Sequence, residues 1–143
     1  MEGSSRQLPR RAAIQALYQW EMTGQSRLDI EKHFLADKSL VKSDKEYFHE
    51  LVSEIPRIVD DLDHHLSPYV DRKISLVDPV ERAVLRVAAY ELLHHLEIPY
   101  RVVLNEAIEL SRTFGSENSY RFVNGILDKM GADVRTIEAA AGQ

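Results

Sequence analysis

At 143 residues, 44% apolar and 29% charged, the chain has the size and balance of one globular domain with a sizeable core. The absence of cysteine excludes disulfides, thiolate catalysis and any cysteine-ligated zinc or iron–sulfur centre. Eighteen Lys and Arg against 23 Asp and Glu leave a formal charge of −5, which argues against wholesale coating of nucleic acid but leaves room for a local basic patch.

Helical periodicity dominates the chain, and no alternating run of β-branched residues appears. A first helix is expected from Pro9 to about Met22, because proline suits a first turn and Gly24 a stop. A short second helix covers about Leu28 to Ala36, with Ile30, Phe34 and Leu35 as apolar positions. Ser43 or Asp44 is expected to cap a third, whose apolar series runs from Tyr47 and Phe48 to Leu62 and Leu66. Pro56 inside that series predicts a kink or two abutting helices. In "DPVERAVLRVAAYELLHHLE", Asp78 is an N-cap and Pro79 a first helical residue. Apolar side chains fall at nearly every angle of this helix, which marks it as the central rod of the core. "PYRVVLNEAIELSRTFG" places Val103, Leu104, Ala107, Ile108, Leu110 and Phe114 on one broad face and closes at Gly115. Ser116 then caps a helix to about Met130, with Tyr120, Val123, Ile126, Leu127 and Met130 inward, and a last turn holds Val134 and Ile137. The expected fold is all-α: a compact bundle of about seven helices forming a single domain over 1–143, flexible at about 1–8 and 138–143.

No apolar run approaches the roughly 20 residues of a membrane span. "MEGSSRQLPR" lacks the apolar stretch of a secretory signal, so a cytoplasmic protein is expected. Enzymatic signatures are missing too: no G-x-x-x-x-G-K-S/T, G-x-G-x-x-G or G-x-S-x-G occurs. His64–His65 and His94–His95 point about 100° apart on a helix and cannot grip one ion together. Asp61 with His65, and Glu91 with His95, have i,i+4 spacing but supply two ligands each, and H-E-x-x-H is absent. These histidines read as partly exposed groups near helix ends. Asp60–Asp61 and Glu106–Glu109 read as solvated faces. No catalysis, metal or cofactor is expected.

Two stretches carry more. On the first helix Arg11, Gln15, Tyr18 and Met22 share one stripe, while Ala13, Ala16, Leu17 and Trp20 form an apolar side. Arg6 and Arg10 lie close by, and residues 1–20 hold these three arginines against one acid, Glu2. Cations at a helix N-terminus are unfavourable by about 0.3–1 kcal/mol each, a cost that a phosphate-binding surface would offset. In "SENSYRFVNGILDKM" the inward positions leave Asn118, Arg121, Phe122, Gly125 and Lys129 on the other side. Phe122 beside a bare glycine backbone is either a stacking platform for an unpaired base, or a packing residue next to a close helix crossing at Gly125.

"AIQALYQWE", "VERAVLRVAAYELL" and "IPYRVVLNEAIELSRTFGSENSYRFVNGILDK" resemble, in that order, the motifs of the NusB family of bacterial transcription antitermination factors. The resemblance covers roughly residues 10–130, and "NEAIEL" followed by "FVNGILDK" is its most specific block. It is also similar to the amino-terminal domain of some ribosomal-RNA cytosine methyltransferases, whose catalytic domain has no counterpart here. The resemblance implies two packed three-helix subdomains. It implies binding of single-stranded boxA RNA, chiefly in ribosomal RNA leaders, as a heterodimer with the small-subunit ribosomal protein NusE. That complex joins NusA and NusG on RNA polymerase to favour read-through of terminators. Position by position, Arg10 and Arg11 match the arginine-rich segment, and Tyr18 and Phe122 the aromatic residues associated with RNA. Glu81 matches an acidic position facing NusE, and Asn118 the junction between RNA and partner. Gln7, Leu8 and Pro9 interrupt the arginine run after Arg6, a departure from the family pattern. The acidic balance suits a basic ribosomal partner, which a carboxylate-bearing surface would steer. The competing class is a protein–protein adaptor without direct RNA contact, and homodimer or monomer stays open.

Overall fold

Seven α-helices occupy most of residues 6–136, the part of the chain that the computed structural model describes. They are α1 (Gln7–Thr23), α2 (Arg27–Leu35), α3 (Lys42–Arg57), α4 (Val59–Leu66), α5 (Pro79–His94), α6 (Tyr100–Phe114) and α7 (Ser119–Val134). Two 3₁₀ turns, Ser67–Tyr69 and Ile74–Leu76, link α4 to α5. Helices α1, α2 and α3 pack together, as do α5, α6 and α7, and α1 lies against α5 where the two groups meet. The bundle is all-α among the described residues, and none of its helices is long and apolar enough to cross a membrane.

Local chemistry explains most boundaries. Asp78 Oδ2 accepts from the backbone N–H of Val80 at 3.0 Å and of Glu81 at 3.2 Å, and Pro79 opens α5. Gly24 takes φ +68 and ends α1 in the left-handed conformation that other residues avoid. The junction predicted around Pro56 falls at Ile58, where two abutting helices meet; Pro56 sits in the final turn of α3. Every residue from Ala83 to Leu92 on α5 is buried, which makes α5 the central rod.

Three boundaries differ from expectation. The N-cap of α3 is Val41 rather than Ser43 or Asp44; Asp44 instead accepts from Val41 N at 3.2 Å. Helix α7 starts at Ser119 rather than after Ser116, because Ser119 Oγ accepts from Ser116 N at 3.0 Å and holds that residue in a turn. Helix α1 starts at Gln7 rather than at Pro9. Residues 1–5 and 137–143, including Ile137, lie outside the described residues.

Two glycines of α7 show where another helix crosses it. At Gly125 a Cβ would meet nothing within 4 Å, so no helix crosses there. At Gly131 a Cβ would come within 2.7 Å of the buried Tyr100 ring, which makes Gly131 the close crossing on α6. Gly125→Ala is therefore expected to stabilise by about 0.5–1 kcal/mol through helix propensity. Gly131→Ala is expected to destabilise by about 1–3 kcal/mol through overpacking. Urea midpoints at unchanged slope check both.

Candidate nucleic-acid interface

The arginines at the start of α1 do not share one role. Arg10, expected to meet phosphate, has a side chain 1% exposed and belongs to the core. Its Nε donates to Glu91 Oε1 and Oε2 at 3.0 and 2.8 Å, and its Nη1 to Glu106 Oε1 at 3.3 Å. The Tyr47 hydroxyl donates to the same Glu91 carboxylate. Burial and the Glu91 charge push the Tyr47 phenol up, which keeps it a donor. Arg10 is thus withdrawn from the surface because α5 carries a carboxylate into an apolar interior, where it needs a cation.

Arg6 is also engaged internally. Its Nη1 donates to Glu97 Oε2 at 3.3 Å, and its guanidinium carbon lies 4.4 Å from the centroid of the Tyr47 ring. Glu97 in turn contacts His95 Nδ1 at 2.6 Å, while His95 Nε2 meets Glu50. Tyr90 donates to that Glu50 at 2.6 Å, and both Tyr47 and Tyr90 lie edge-on to the imidazole. Burial alone would lower the His95 pKa, but the bonds to Glu97 and Glu50 outweigh it and raise it above 6.5. A raised folded-state pKa stabilises fully below the unfolded value and is lost as pH climbs through the folded one. Stability is therefore expected to fall between about pH 6 and pH 8, and to fall less in His95→Gln, as read from urea midpoints at the two pH values.

The rest of the α1 stripe faces outward. Arg11, Gln15, Tyr18 and Met22 are exposed, while Ala13, Ala16 and Leu17 are buried as expected. Arg11 lines a groove between α1 and α6 with Gln7, Glu109 and Thr113. Further along, Gln15 and Tyr18 line a mostly apolar groove with Phe34, Val80 and Phe114. Glu81, next to Val80, is half-buried and its Oε2 accepts from Ser119 Oγ at 2.7 Å. That bond ties the α5 N-terminus and its groove to the first residue of α7.

One turn along α7 from Ser119 stands Phe122, half-buried against the core, with the Arg72 guanidinium carbon 4.9 Å from its ring centroid. Asn118, Arg121, Gly125 and Lys129 are exposed. The fold thus gathers Gln15, Tyr18, Glu81, Asn118, Arg121 and Phe122 at one end of the bundle, with Arg11 and Lys129 further out along α1 and α7. Arg10 is turned to the interior, and Arg6 is half-buried beside the exposed Glu97. Arg72, in the loop after α4, was missed from sequence because no periodicity places a loop cation over a helix face 50 positions later. Tyr120, expected inward, is half-buried at the rim, its ring between Arg112 and Arg121. Among the described residues no three His, Asp or Glu side chains are grouped to hold a metal ion.

Comparison with known proteins agrees with this architecture. The model of the NusB family matches residues 7–132. The transcription antitermination protein NusB of Alcanivorax borkumensis is 46% identical over 137 residues, 96% of this chain and 91% of that protein. The protein of the same name from Psychromonas ingrahamii is 46% identical over 143 residues, 100% of this chain and 99% of its own. Among solved structures, T. maritima NusB superposes with a TM-score of 0.81 at 34% identity, over 90% of this chain and 91% of that one. With a family model spanning nearly the whole bundle and full-length relatives of the same architecture, the chain belongs to the NusB family.

Proposed function

We propose that this chain is a transcription antitermination protein that binds single-stranded boxA RNA of nascent ribosomal RNA transcripts as a heterodimer with the ribosomal protein NusE, and in that form joins NusA, NusG and RNA polymerase. It works by binding, without catalysis or cofactor. The observation that carries the RNA part is the end of the bundle where an exposed Tyr18, and Phe122 beneath Arg72, flank the Glu81–Ser119 bond. Aromatic faces of this kind stack unpaired bases, and Arg11, Arg72, Arg121 and Lys129 supply charge for phosphates. The open backbone at Gly125 lets a strand approach α7 closely beside Phe122. Glu81 at the first turn of α5 is the point at which a basic partner would meet the same surface.

The internal pairing of Arg6 and Arg10 favours a second reading, an adaptor that binds NusE alone. One titration separates the two. RNA of boxA sequence is titrated with NusE, with and without this chain, at two salt concentrations. The RNA-binding reading predicts that the chain tightens RNA binding by NusE, with a salt slope of about −0.7 per phosphate contact. It also predicts that Tyr18→Ala and Phe122→Ala each weaken RNA binding by about 1–3 kcal/mol while NusE binding and helix content stay unchanged. An adaptor would bind NusE and leave its RNA affinity where it was.

A further inference from the structure

The start of α7 carries two aromatic rings, and each has an arginine from another element resting on it. Phe122 lies under Arg72; Tyr120, on the other flank of Arg121, lies under Arg112 of α6, whose guanidinium carbon is 4.6 Å from the ring centroid. Arg121 approaches the same Tyr120 ring at 5.5 Å, and its Nε donates to the Tyr120 hydroxyl oxygen at 2.9 Å. The Arg112 side chain is 55% exposed and pairs with Glu109 at 3.2 Å, an exposed contact of the kind that contributes little to stability. Glu109 lines the same groove as Arg11. The Arg112–Tyr120 pair therefore adjoins the outward stripe of α1 on one side and, through Arg121, the Phe122 platform on the other.

We infer that Arg112, Tyr120 and Arg121 form a second station on the RNA track, a reading that rests on the RNA-binding function proposed above. A guanidinium resting on a ring is held in place before the ligand arrives, so little side-chain freedom is lost on binding. Its outer face stacks an unpaired base, while Arg121 beside it takes a backbone phosphate. The station restores to the surface the cation that Arg10 withdraws into the core. It extends the bound strand from Phe122 toward α1 rather than ending it at α7.

The test uses the full chain with NusE and boxA RNA, read by fluorescence anisotropy at two salt concentrations. Arg112→Gln and Tyr120→Leu are each expected to weaken RNA binding about tenfold, and Arg121→Gln to make the salt slope shallower by about 0.7. Tyr120→Phe, which keeps the ring, is expected to bind like the parent. Far-UV circular dichroism should stay unchanged, since these side chains lie at the rim. If both variants bind RNA within twofold of the parent while Phe122→Ala is weakened, the station is wrong and the RNA-binding reading stands. If Phe122→Ala is unchanged as well, that reading fails and the station with it. Loss of NusE binding at unaltered RNA affinity of the heterodimer would reassign the patch to the partner and overturn the inference.

Discussion

Glu91→Ala is expected to destabilise the protein by about 3–5 kcal/mol, because it leaves Arg10 in the core without the carboxylate that neutralises it. The Arg10 Nε–H is shared between both Glu91 carboxylate oxygens, and both side chains are almost wholly enclosed, with relative exposures of 1% and 2%. Glu106, a second acid within reach of Arg10, is 13% exposed and sits at a longer 3.3 Å. Burial already pushes the Glu106 carboxyl up despite Arg10, so it is a poor substitute for Glu91. Domains of this size have about 5–15 kcal/mol of total stability, so the variant should survive but with a sharply lower urea midpoint. Removing the whole network tells more. Arg10→Met, Glu91→Leu and Tyr47→Phe together are expected to recover most of the loss, since apolar groups of similar volume need no counter-charge. A cost below about 1 kcal/mol for Glu91→Ala would show that Arg10 is neutralised elsewhere.

Arg135→Met is expected to cost a comparable 3–5 kcal/mol. The Arg135 guanidinium closes the C-terminal end of α5: Nε donates to Leu92 O at 2.8 Å, and Nη2 to Glu91 O at 3.2 Å and His95 O at 3.0 Å. Its Nη1 donates to Ile98 O at 2.9 Å, which fixes the turn between α5 and α6. Carbonyls at a helix C-terminus have no partner in their own helix, and the helix dipole favours a cation there. The residue is 5% exposed, so water cannot replace these bonds without opening the core. Arg135→Lys keeps the charge but not the planar fork, and is expected to recover less than half of the loss. Thermal unfolding of the three proteins measures this directly.

These two arginines also mark where sequence reasoning stops. Periodicity reports the angle of a side chain on its own helix, which was enough to find the buried rod α5, the Asp78–Pro79 start and the paired helices around Pro56. It does not report which charge a side chain meets 81 positions away, as Arg10 meets Glu91. A signal was nonetheless present: Glu91 lies in a helix with apolar side chains at nearly every angle, and a carboxylate there must be paired. No comparable signal exists for Arg135, which holds the end of α5 and Ile98 through backbone carbonyls. On the candidate surface, Gln15 and Tyr18 could be read from their helical stripe. Tyr120 was misread because its spacing to Val123, Leu127 and Met130 fits the core face, whereas α7 begins at Ser119 and leaves that first turn at the rim. The close crossing expected as one alternative at Gly125 lies instead at Gly131, which no helical spacing distinguishes, and Phe122 packs half-buried against the core.

The divided roles proposed for the two adjacent arginines are open to one direct measurement: the salt dependence of boxA RNA binding in the presence of NusE, for Arg10→Met and Arg11→Gln, at a temperature where circular dichroism shows both folded. Arg11→Gln should reduce the magnitude of the slope by about 0.7 and weaken binding, while Arg10→Met should keep the parent slope despite its lower stability. A slope that changes with Arg10 and not with Arg11 would contradict the assignment of Arg10 to the core and Arg11 to the RNA.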